Sequence, residues 1–100
     1  MSRVRWTARS LRDLREIGSY IARDNPEAAY RWVARLRERA GKAALNPLAG
    51  RMVPERERPD LREVFVASYR IVYRVRADRI DILAVFEGHR NFPPDVGLGE

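Results

Sequence analysis

One hundred residues are enough for one compact hydrophobic core and too few for two, so a single domain is expected. Hydrophobic residues make up 45% of the chain and charged ones 34% with both signs represented, a balance that favours folding over disorder. The absence of cysteine and the single histidine exclude a disulfide scaffold and a thiolate metal centre, so no metal site is expected. No stretch approaches the ~20 apolar residues of a membrane span, and the first residues lack the apolar run of a signal peptide, which points to a cytoplasmic protein. Twenty basic residues against 14 acidic ones give a formal net charge of +6, and Lys42 is the sole lysine. An arginine-rich surface binds carboxylate and phosphate bidentately, so it suits an acidic protein or a nucleic acid equally well.

Val4 and Trp6 alternate with Arg3 and Arg5 as a short opening strand, and Thr7 stands where a helix N-cap is wanted. Leu11, Leu14, Ile17 and Ile21, with Tyr20 beside them, recur at helical spacing, while Arg12, Asp13, Arg15 and Glu16 fill the wet face. Asp24-Asn25-Pro26-Glu27 stops this helix and starts a second, with an asparagine cap, a proline at the first helical position and an acid in the first turn. In the second helix Ala29, Trp32, Val33, Leu36, Ala40 and Ala43 form an apolar stripe, and Arg31, Arg35, Arg37, Arg39 and Lys42 supply a basic face. The alanines allow close packing.

From Asn46 to Asp60 three prolines, Gly50 and the run Glu55-Arg56-Glu57-Arg58 predict an exposed loop. The rest reads as sheet. Leu61 to Val66, Tyr69 to Val75 and Ile80 to Phe86 are β-rich runs whose short connections require antiparallel hairpins. In the middle run Tyr69, Ile71, Tyr73 and Val75 share one face and Arg70, Val72 and Arg74 the other, which predicts a core face backed by a partly cationic one. The last run is apolar on both faces toward its end, as in a central strand, and residues 93–100 read as a loosely ordered tail behind a domain of residues 1–92. The predicted fold is α+β: an N-terminal strand, a two-helix hairpin, and a three-strand antiparallel meander forming one small sheet covered by the helices.

Several strings in this order resemble the RelE/ParE toxin superfamily. They are Trp6 with Ala8, Asp13-Leu14, Ile17 and Tyr20-Ile21; Asn25-Pro26 with Ala28-Ala29; Asn46-Pro47 with Gly50-Arg51; Leu61-Arg62-Glu63; Ser68 to Val75; and Val85-Phe86-Glu87-Gly88-His89-Arg90. The resemblance implies the toxin half of a type II toxin–antitoxin system, inhibiting growth when free and held inactive in a hetero-oligomer with a cognate antitoxin whose toxin-binding segment is often acidic. Arg31, Arg35, Arg39, Arg62, Arg70 and Arg74 are the candidate antitoxin contacts. No cofactor is implied.

The superfamily divides into ParE-like members that poison DNA gyrase and RelE-like members that cut messenger RNA on the ribosome, and the shared fold cannot choose between them. RNA cleavage by 2′-hydroxyl attack needs a proton acceptor, cations for the charged transition state and an acid for the leaving oxygen. Arg70 and Arg90 match active-site arginines of RelE-like enzymes, and His89 supplies an imidazole, the side-chain type suited to proton transfer near neutrality. The basic residues of the preceding strand are replaced here by Glu63, Val64, Phe65 and Val66, and the tyrosine beyond Arg90 is missing. The ParE-like reading is therefore preferred, with no catalytic residue and with Glu87, His89, Arg90 and Phe92 as target contacts. A metal-independent endoribonuclease using Arg70, His89 and Arg90 is the alternative. A basic nucleic-acid-binding domain ranks third, because Trp6, Trp32, Tyr69 and Tyr73 fall on core stripes and leave no exposed stacking platform.

Overall fold

Each helix begins where local chemistry satisfies its first free N–H groups. In the computed structural model, which describes residues 3–99, strand β1 (Val4–Trp6) leads into α1 (Ala8–Ala22). Thr7 Oγ1 accepts the Ser10 N–H at 3.2 Å and donates to the Ile82 carbonyl at 2.7 Å, so the same hydroxyl caps the helix and ties it to the sheet. Helix α2 (Pro26–Leu45) starts from Asn25, whose side chain accepts the Ala28 N–H at 3.1 Å, with Pro26 in the first turn. A short 3-10 turn (Pro47–Ala49) follows, then β2 (Arg51–Met52), β3 (Leu61–Val66), β4 (Tyr69–Val75) and β5 (Ile80–Glu87).

The sheet order is β1-β5-β4-β3-β2, with β1 parallel to β5 and the other neighbours antiparallel. The predicted α+β class, helix hairpin and meander are all present, and one strand is added. That strand, β2, lies inside the segment expected to be an exposed loop and pairs Arg51 with Glu63 and Met52 with Arg62. Two residues between prolines carry no readable alternation, which is why the pattern hides it. The next residue, Val53, is fully buried, so the segment is partly built into the core.

The helices cover one face of the sheet, where Leu14, Leu36, Ala40 and Ala44 pack on Val64, Ile71, Tyr73, Ile80, Ile82 and Val85. The opposite face has its own core of Val53, Leu61, Val72, Leu83, Ala84 and Phe86. The pairing shifts after Val72, which faces Ala84 while Tyr73 faces Ile82, so Leu83 is a bulge residue and both Leu83 and Ala84 join the second core. The bulge accounts for the two-faced apolar run at the end of β5. Phe92, Val96 and Leu98 close over this second core. Arg74 Nη1 donates to the Leu98 carbonyl at 3.1 Å, and Arg9 pairs with Asp95 at 2.8 Å. The segment expected to be a loose tail is thus packed through Gly99; its apolar residues are separated by proline and glycine and show no period.

Asp13 also departs from expectation, since it is 8% exposed rather than on the wet face. Its carboxylate accepts the Val85 N–H at 3.0 Å and binds Arg9 at 3.0 Å. β1 pairs with β5 only as far as Ile82, and Asp13 satisfies a backbone donor beyond that point. Burial pushes the Asp13 carboxyl up, opposed by the Val85 N–H and by Arg9.

The 3-10 turn is fixed by Tyr73, which is fully buried and donates its hydroxyl to the Pro47 carbonyl at 2.5 Å. A Cβ on Gly50 would overlap that hydroxyl and stand 3.0 Å from the Glu63 carbonyl oxygen. Gly50→Ala should therefore cost about 1–3 kcal/mol through overpacking, and Tyr73→Phe about 1–2 kcal/mol through the lost bond, both read from urea midpoints at unchanged slope.

Candidate functional site

The face of the sheet away from the helices is built by register. Cross-strand pairing of Glu63 with Val72 sets Glu63 two residue pairs from Arg70 on the same face, and β2 brings Arg51 to its other side. Arg70 Nε donates to Glu63 at 2.9 Å, and its two terminal nitrogens donate to Glu55 at 3.0 and 2.9 Å. Arg51 Nε donates to the second Glu63 oxygen at 2.7 Å. The Glu63 side chain is fully buried and that of Arg70 is 6% exposed. The Arg70 guanidinium also lies 5.1 Å from the Phe86 ring and 5.5 Å from that of Phe92, a desolvated cation–π setting. Its hydrogen bonds hold the Glu55 carboxyl below the usual range.

Two further carboxylates organise the remaining arginines. Asp81, fully buried, receives Arg5 Nε at 2.9 Å, Arg79 Nε at 2.8 Å and Arg76 Nε at 3.1 Å. Burial alone would push the Asp81 carboxyl up, but the hydrogen bonds from Arg5 and Arg79 outweigh it and hold it at about 2. Asp60 receives Arg58 at 3.0 Å and Arg74 at 3.1 Å. The face expected to be cationic is therefore a lattice of ion pairs.

This places several candidate residues. Arg70 is sealed, with all three side-chain nitrogens aimed at Glu55 and Glu63. Arg74 is committed to Asp60 and to the Leu98 carbonyl, and Arg62 to the carbonyls of Pro59 at 2.8 Å and Gly50 at 3.2 Å. Glu87 accepts the Ser68 hydroxyl at 2.8 Å, and His89, with 89% of its side chain exposed, stands 3.8 Å from Glu87 beyond the end of β5. Arg90 is exposed in the following turn, and Phe92 turns inward to meet Phe86 edge-on at 5.6 Å. Arg70 is thus buried against two carboxylates, whereas His89 and Arg90 are exposed. Among the described residues no group of three His, Asp or Glu side chains could hold a metal ion.

The helix hairpin carries a different feature. Between α1 and α2 runs an open apolar groove of about 520 Å³, lined by Gly18, Ala22, Ala29, Val33 and Ala34 with Tyr30 and Arg37 at its rim. It adjoins a second hollow of about 530 Å³ that reaches Leu11, Arg15 and Ser19. A Cβ on Gly18 would stand 3.2 Å from Val33, so small residues at the crossing create the trough. Tyr30 is 85% exposed and Tyr20 69%, although the helical spacing grouped Tyr20 with the core stripe. The readable signal was Gly18 and Ala22, four residues apart on α1. On the other flank of α2, Arg31 and Arg35 are exposed and Arg39 is half-buried.

A two-helix hairpin over this five-strand sheet defines a small α+β class, and comparison with known proteins makes it specific. Residues 4–92 match the family described as "ParE toxin of type II toxin-antitoxin system, parDE". The protein named "Putative toxin Y4kP" from Sinorhizobium fredii (strain NBRC 101917 / NGR234) is 43% identical over 93 residues, covering 91% of this chain and 93% of that protein. A solved structure described as "Chromosomal ParDE TA system from P. aeruginosa" shares the fold with a TM-score of 0.72 and 24% identity, over 87% of this chain and 96% of the other. The chain belongs to the ParE toxin family of type II toxin–antitoxin systems.

Removing one partner of a buried ion pair leaves a charge without compensation. Arg70→Met or Glu63→Gln should each lower stability by about 3–5 kcal/mol, measured by chemical denaturation at pH 7. The depressed Asp81 carboxyl has a pH signature. Its contribution is present above the unfolded value of about 3.9 and is lost as pH falls toward about 2. Thermal midpoints should fall across that window, and Asp81→Asn should flatten the fall while lowering stability at pH 7.

Proposed function

We propose that this chain poisons DNA gyrase and is neutralised by a cognate antitoxin in the cytoplasm. The observation that carries the choice over ribosome-dependent RNA cleavage is the state of Arg70. A nuclease would need that guanidinium facing a phosphate, with an acid–base group beside it. Here it is buried against Glu63 and Glu55, and the His89 side chain is exposed. A binding mechanism requires no such set. The toxin engages gyrase, stabilises the cleaved DNA–enzyme intermediate, and turns a transient break into a lasting one.

The exposed turn after β5 offers Glu87, His89 and Arg90 as target contacts, with Phe92 anchoring the turn from within. The hairpin groove suits an amphipathic antitoxin segment, apolar residues filling the trough and acids meeting Arg15 and Arg37. Its lining of small side chains leaves room for a partner's larger ones.

Antitoxin-free protein incubated with gyrase, supercoiled plasmid and ATP should accumulate linear DNA once the enzyme is denatured. His89→Ala with Arg90→Ala should reduce that yield at least tenfold while thermal stability is unchanged. Folded protein that yields no linear DNA but cleaves messenger RNA on ribosomes would reverse the assignment. Substitution of Ala22 and Ala34 by Glu should abolish antitoxin binding, followed by titration calorimetry, without abolishing plasmid linearisation.

A further inference from the structure

The arginines of this chain fall into two populations. Arg5, Arg51, Arg70, Arg74, Arg76 and Arg79 are paired with acids on the sheet side. Arg31, Arg35 and Arg39 on α2 have no acidic partner within 4.0 Å among the described residues, and Lys42 meets only Glu38 at 3.5 Å with both side chains exposed. Arg56, Arg62 and Arg90 aside, the positive charge without an acidic partner among the described residues lies on the helices.

Four of these cations form a row. Residues 31, 35, 39 and 42 recur at one-turn spacing on one flank of α2 and span about 16 Å along its axis. The groove residues Ala29, Val33, Ala34 and Arg37 lie on the flank facing α1, so an occupant of the groove leaves the row uncovered. Where the row meets the β3–β4 turn there is an open hollow of about 250 Å³ bounded by Arg35, Glu38, Arg39, Lys42 and Phe65.

We propose that this flank of α2 contacts the phosphate backbone of duplex DNA. The inference goes beyond the toxin reading and does not depend on which target the toxin attacks. Phosphate contacts need regularly placed cations on a rigid element and release counterions when made. A protein partner of similar affinity would need a buried aromatic or apolar anchor, and this hollow offers no deep apolar pocket for one. Single strands are bound through exposed rings on which bases stack. Of the two rings beside the row, Trp32 is half-buried, covered by the Arg35 guanidinium at 4.7 Å and set edge-on to Tyr69 at 5.7 Å, and Phe65, 43% exposed at the edge of the hollow, has the Arg51 guanidinium 5.4 Å from its ring. Glu38 and Glu27, the latter one turn before Arg31, are the acids on this flank and oppose the contact.

The test measures affinity of the full chain for a 30-base-pair duplex of arbitrary sequence by fluorescence anisotropy from 50 to 200 mM salt. Four phosphate contacts predict a log–log slope of about −3.6, or roughly a 150-fold loss of affinity across that range. The triple change Arg31→Gln, Arg35→Gln and Lys42→Gln should make the slope shallower by about 2.7, and Glu38→Gln should tighten binding. The control Arg12→Gln, Arg15→Gln and Arg23→Gln removes equal charge from α1 and should leave the slope unchanged, with folding of all variants checked by circular dichroism. Equal loss in both triple variants would assign binding to net charge and overturn the proposal. So would tighter binding of a single strand, tighter binding of an acidic peptide of matched charge, or no binding by the folded chain.

Discussion

Glu63 and Asp81 are carboxylates held out of water in the middle of a sheet, and the rest of that face is arranged to make this tolerable. Each ion costs several kcal/mol to desolvate, and attraction repays the cost only when every oxygen is well partnered. Arg51 and Arg70 serve Glu63, and Arg5, Arg76 and Arg79 serve Asp81, drawing on all strands of the sheet and on the β4–β5 turn. Such pairs contribute more to specifying structure than to net stability. A one-residue slip of β3 on β4 would turn Glu63 into the helix-side core, so the register with the pairs made is strongly preferred. Arg51 also lies on the short β2 and Arg70 also holds Glu55, while Arg74 holds Asp60 and the Leu98 carbonyl after β5.

This arrangement divides the molecule by role. On the sheet side guanidinium groups are consumed in holding the structure, and a high arginine count leaves little free charge there. On the helix side the hairpin keeps an apolar trough with small walls and a row of cations on its far flank. Arg70, the β4 position that matches an active-site arginine of RelE-like enzymes, is the central ion of the lattice.

The order of elements, the break at Asn25-Pro26 and the alternation of β4 were legible because each depends on neighbours in sequence. Asp13 was not, since its partner is the Val85 N–H some seventy residues away, exposed only because β1 stops at Ile82. β2 and the bulge at Leu83 escaped for a related reason: both are defined by a partner strand and leave no period of their own. The resemblance singled out Arg70, which the fold places in a buried ion pair with Glu63. Glu55 as the second partner depended on how the proline-rich segment folds back. The hairpin groove was half legible, through its alanines, while its exposed tyrosines were not.

The account rests on Arg70 being structural, and the most direct measurement is solvent exchange of its Nε–H, observed by NMR near neutral pH with and without added inorganic phosphate. A slowly exchanging signal that phosphate leaves unmoved, beside rapidly exchanging signals from Arg31 and Arg35, is the predicted result. Rapid exchange together with a phosphate-dependent shift at Arg70 would contradict the account and return that residue to the open site a nuclease requires.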